Sequence, residues 1–74
     1  MTVFPNPAND KVWVVGSGLE EVRLFNAMGQ LVLTVSCGEA DQMELNLSSL
    51  SAGVYMMSLQ HRDGQVTNKI LVRQ

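Results

Sequence analysis

The chain has 74 residues, 46% of them apolar, with five Lys and Arg against seven Asp and Glu for a net charge of −2. That is one domain, residues 1–74, apolar enough to fold but with a core too small for much surplus stability. Five dispersed cations exclude a nucleic-acid-binding stripe and an anionic-membrane patch, and no apolar run approaches the about 18 residues of a membrane-crossing helix.

Short apolar or β-branched runs begin near Val3, Lys11, Glu21, Leu31, Gln42, Val54 and Gln65. Turn-forming stretches separate them at the spacing of a small antiparallel sandwich or barrel. The start, "MTVFPNP", has neither the basic nor the apolar region of a signal peptide, so an exported parent chain would carry its signal upstream. Pro5 and Pro7 lack amide protons and either end the first run or hold it at a sheet edge. Asn6, Asn9 and Asp10 crowd the turn that follows. Their oxygens could serve calcium, but Asx side chains bonding their own backbone explain them more simply. Trp13 alternates with Val12 and Val14 and is expected in the core. "VVGSGLE" lacks the strand–helix setting of a phosphate-binding loop and reads as a turn at "GSG". In "EVRLF", Val22 and Leu24 face inward, opposite Glu21, Arg23 and Phe25. "NAMGQ" is a turn in which Gly29 takes the left-handed conformation.

In "LVLTVS", Leu31, Leu33 and Val35 share one face. Cys37 is the only cysteine, so it reads as a partly buried thiol, with an intermolecular disulfide as the alternative in an oxidising compartment. "CGEAD" reads as another turn. "MELNL" turns Met43, Leu45 and Leu47 inward. In "LSSLSAGVYMMSLQ", Gly53 lets the chain turn into a strand whose second residue is Tyr55. A tyrosine there suits the corner of an immunoglobulin-like sandwich, its hydroxyl bonded to backbone just upstream. His61 and Asp63 flank the hairpin signal "RDGQ", where Gly64 supplies positive φ. With one histidine, one cysteine and no nucleophile elbow, neither a zinc site nor a catalytic triad can be assembled. Neither an enzyme nor a cofactor protein is expected.

The last segment, "TNKILVRQ", puts Lys69, Leu71 and Arg73 on one strand face and Ile70, Val72 and Gln74 on the other. Physics alone favours an edge strand whose cations deter aggregation. The functional alternative is a terminal handle read through charge and strand pairing. The seven runs predict an all-β fold, a small antiparallel sandwich or barrel.

Four stretches in order, "VFPNPANDKVWV", "VRLFNAMGQLVL", "LNLSSLSAGVYMMSL" and "GQVTNKILVRQ", resemble the C-terminal sorting domains (type A) of the type IX secretion system of Bacteroidota. The resemblance covers nearly all 74 residues and implies an all-β fold, a seven-stranded immunoglobulin-like antiparallel β-sandwich. It implies a non-catalytic signal that takes an N-terminal cargo from the periplasm across the outer membrane through a translocon, followed by removal by a cell-surface sortase. It implies no cofactor and no direct membrane insertion. By the same resemblance Lys69, Ile70, Leu71, Val72, Arg73 and Gln74 inherit translocon recognition. Gly53 and Tyr55 belong to the preceding motif, and Pro5, Asn6, Pro7, Gly29 and Gly64 are architectural. The family ending is often lysine-rich, whereas here Arg73 keeps the charge with a different hydrogen-bonding geometry. The alternative is a small immunoglobulin-like binding or spacer module for protein or carbohydrate, which calls for clustered exposed aromatics. Long strands on a small core also make a strand-exchanged homodimer an expectation.

Overall fold

A computed structural model describes residues 2–74. The chain forms five strands and, among the described residues, no helix: β1 (Thr2–Phe4), β2 (Lys11–Phe25), β3 (Leu31–Asn46), β4 (Gly53–His61) and β5 (Val66–Arg73). All strand pairs are antiparallel. β2 is the organising element. β3 runs along one of its edges for the whole length, while the other edge is taken first by β1 and then by β4, with β5 outside β4.

Neither long strand is straight. A strand rises roughly 3.3 Å per residue, so the 15 residues of β2 would span well beyond the longest molecular dimension of 31 Å. The ladder between β2 and β3 shifts register between Val15 and Leu19, and again between Leu19 and Glu21. At these shifts Gly18, Gly38 and Glu39 have positive φ. The bends divide the sheet into two arms: β1, Lys11–Val15 of β2 and Gln42–Asn46 of β3, against Leu31–Ala40 of β3, the rest of β2, β4 and β5. Both arms contribute to a single core. Val12, Val14 and Leu45 from the first meet Val22, Leu24, Met57, Leu59 and Leu71 from the second.

The seven expected strands are therefore five. The runs beginning at Lys11 and Glu21 are one strand, as are those beginning at Leu31 and Gln42. "GSG" and "CGEAD" hold turn-forming residues in turn-like conformations, but the ladder resumes with the same partner strand, so they act as bulges rather than chain reversals. The alternation elsewhere fits the burial: Val22, Leu24, Leu45 and Leu47 are buried and Glu44 and Asn46 exposed. Two inward assignments are corrected. Val12 and Val14 occupy the inner face, so alternation turns Trp13 outward, 37% exposed beside Phe4 on β1. Leu31 is also exposed, because a bulge opposite Phe25 takes it out of the alternation that carries Leu33 and Val35.

The two hairpin turns share one construction. The Asn26 amide donates to the Gln30 carbonyl and the Gly29 amide to the Asn26 carbonyl, both at 2.9 Å. His61, Gln65 and Gly64 repeat the pattern at 2.8 and 3.0 Å. Gly29 and Gly64 sit at φ 82° and 89°, a left-handed conformation that a side chain would strain. Asn26 Oδ1 also accepts from the Met28 and Gln30 amides, and Asp63 Oδ1 from the Gln65 amide.

Candidate functional site

β5 lies between two different neighbours. On one side β4 pairs with it throughout, from Gly53 opposite Arg73 to Gln60 opposite Val66. On the other side the segment after β1, which includes cis peptide bonds before Pro5 and Pro7, is laid along its last residues. Asn6 Nδ2 donates to the Ile70 carbonyl at 2.9 Å, and Asn6 Oδ1 accepts from the Val72 amide at 3.1 Å. The Ala8 amide then donates to the Val72 carbonyl, and the Gln74 amide to the Ala8 carbonyl, each at 2.7 Å. A side-chain amide thus imitates one residue of a strand, and the next residues continue with main chain in parallel orientation. Ala8 is wholly buried by this contact. Asn6 was expected to bond within its own turn or to serve calcium. Its carboxamide is instead committed to β5, 64 residues away.

The six terminal residues have unequal roles in this setting. Leu71 is wholly buried and Val72 has both main-chain groups bonded to the strap. Arg73 is half-buried, its Nε donating to the Leu47 carbonyl at 2.9 Å and its Nη1 to the Gln74 carbonyl at 2.6 Å. Leu47 in turn donates its amide to the Asp10 carbonyl at 2.7 Å, so Arg73 ties the end of the chain to the outer end of the first arm, where Lys11 is paired with Asn46. Lys69 is exposed and, among the described residues, has no acidic partner. Ile70 is 51% exposed on the outer face and Gln74 is exposed. Lys69, Ile70 and Gln74 are therefore the terminal side chains open to a partner.

Tyr55, 5% exposed, donates from its hydroxyl to the Ser51 carbonyl at 2.5 Å, with Ser51 Oγ 3.4 Å away. Gly53 stands between them, opening β4 opposite Arg73. This holds the crossing into β4, so Tyr55 acts on β5 from beneath, through Leu71 opposite it.

The other candidate groups are occupied. His61 lies at the β2 bend, with Nδ1 3.2 Å from the Ser17 carbonyl and Nε2 3.1 Å from Thr67 Oγ1. It shares an open polar cleft with Glu39, Asp41, Arg62 and Asp63, but among the described residues no three His, Cys, Asp or Glu side chains are placed to hold a metal. Cys37 is buried and free, its sulfur 3.3 Å from Met43 Sδ. Burial pushes its pKa up, and the negative charge of Glu21 adds to the effect.

The chain matches the family model described as the secretion system C-terminal sorting domain over residues 2–73. No curated protein matches it. The matched stretch takes in both the strap at Asn6 and β5, which meet in space. The chain belongs to the family of secretion system C-terminal sorting domains, those of the type IX system.

Proposed function

We propose that this domain is a non-catalytic export signal that directs an attached N-terminal cargo through the type IX translocon, with sortase removal at the cell surface. The observation that carries this reading is the family match across residues 2–73. The geometry supports it, because β5 ends in a fixed position with Lys69, Ile70 and Gln74 displayed around it. Recognition then belongs to those three side chains. Leu71, Val72 and Arg73 hold them in place rather than meet the translocon. We also assign the architecture to an immunoglobulin-like sandwich, on the ground that the two bent strands supply seven strand segments around one core.

A reporter bearing a signal peptide and this domain at its C-terminus tests the reading in a host with a working type IX system. Surface exposure of the reporter only when the domain is present is the expected result. Periplasmic retention of a folded fusion would return the small binding module to first place. Trp13 beside Phe4 is the observation that favours that second reading, since both aromatics are exposed on one face. Two aromatics on a strand pair make a smaller claim than a family match along the whole chain.

A further inference from the structure

The outer face of the second arm carries a row of apolar side chains that crosses all four strands. Leu31 is paired with Phe25, Phe25 with Met56, and Met56 with Ile70. Leu31, Met56 and Ile70 are each more than 40% exposed, as is Val54 two residues before Met56. Between this row and the Asn26–Gly29 turn lies an open cleft of about 410 Å³, lined by Phe25, Ala27, Val54, Met56 and Ile70 among others. The cleft lining holds no charged residue. Lys69 and Arg73 point to the opposite face of β5 by alternation, and Arg23, the next outward residue of β2, is neutralised by its own ion pair with Glu21. An exposed apolar surface of this kind, with a cleft along its edge, has the make-up of a protein docking site.

The position of the row fits a partner other than the cargo. The chain enters through β1, where Thr2 is paired with Val15 beside the bend and in the first arm. The row lies in the second arm at Phe25, six residues beyond Leu19 and so about 20 Å of strand away from the bend. A cargo joined ahead of Thr2 would therefore be attached at that distance from the row. The row is also continuous with the terminal segment, since Ile70 belongs to both.

We infer that the face formed by Leu31, Phe25, Met56, Val54 and Ile70 docks an uncharged apolar surface of a protein of the export machinery, one of whose aliphatic or aromatic side chains enters the cleft. This inference rests on the export reading above and adds a surface to it. The uncharged cleft lining, with Arg23 beyond it already paired with Glu21, argues for an apolar protein partner and against a lipid headgroup or another anion.

The test uses the same signal-peptide reporter carrying the whole domain, with M56E, I70E and V66E as variants. Val66 is equally exposed on the outer face but lies at its polar end, beside Gln60. Surface display should fall about tenfold or more for M56E and I70E, the loss of a central docking contact, and remain at the parent level for V66E. Melting of each purified fusion checks that the domain stays folded. A photoreactive phenylalanine analogue in place of Val54, which adds no charge, should cross-link to a larger export protein, and this supports the docking site even where M56E or I70E unfolds. Parent-level display of folded M56E and I70E would overturn the docking site while leaving the sorting function standing. Cross-links from position 54 only to a second copy of the domain would overturn it as well. If the parent fusion itself is not displayed, both readings fall.

Discussion

At the residue scale a few polar groups fix the ends of the strands. Tyr55→Phe removes the hydroxyl that satisfies the Ser51 carbonyl, and should cost about 1–2 kcal/mol in denaturant unfolding. An unchanged midpoint would contradict the corner. Asn6→Ala removes two exposed bonds to β5, for a loss of about 1 kcal/mol. Its sharper signature is faster hydrogen exchange at the Val72 amide, with the Gly29 amide in the distant turn unaffected. Cys37 should alkylate slowly in the folded protein, because burial keeps it protonated. The raised pKa also carries a sign. The folded state holds that proton more tightly, so this contribution is full below the unfolded value of 9.0 and is lost as pH climbs through the folded one. Stability relative to Cys37→Ala should therefore decline above pH 9.0. Of these residues Tyr55 was legible in the sequence, since its partner is four positions away, and so was Cys37 as a buried thiol. Asn6 was not, because nothing local shows that its carboxamide bonds a strand at the other end of the chain. Trp13 was misplaced because its alternation with Val12 and Val14 does not say which face is inner, and the two valines take it.

At the element scale the two bends set the fold. Each run of apolar alternation was readable, and so was the turn chemistry between runs. What sequence alone does not distinguish is a turn that reverses the chain from a bulge after which pairing resumes, since glycine at positive φ serves both. The choice is made by the partner strand: β2 and β3 remain together on both sides of the bend. Gly18→Ala tests this, because φ is 60° and an added Cβ would meet the Arg62 Cβ at 3.3 Å. A loss of about 1 kcal/mol or more in stability is expected. No loss would mean that the bend does not depend on that conformation. The C-terminal strand shows the same division. Its two faces were legible from alternation, while the strap that covers its outer edge was not. Because of that strap, a partner at Ile70 to Gln74 must read side chains or first displace Asn6 and Ala8.

At the scale of the whole molecule, the two arms close over one core, β1 lies in the first arm beside the bend, and the terminal strand is fixed by the strap at Asn6 and Ala8 on one edge and by β4 on the other. We propose strand exchange between copies through the same bends, on the strength of two long strands hinged at Gly18 and Gly38. Light scattering should then find dimer growing with concentration, and a monomer throughout would remove the idea. Deleting Lys69 to Gln74 is a poor test of recognition, because it also removes the buried Leu71 and the Arg73 tie. Lys69→Ala is better: it should lower export while leaving melting unchanged. The most direct measurement is the surface-to-periplasm ratio of a reporter fused to this domain, compared between a host with an intact type IX translocon and the same host with it disrupted. Surface display is expected in the first and periplasmic accumulation of folded fusion in the second. Equal distributions in the two hosts would rule out a type IX sorting signal.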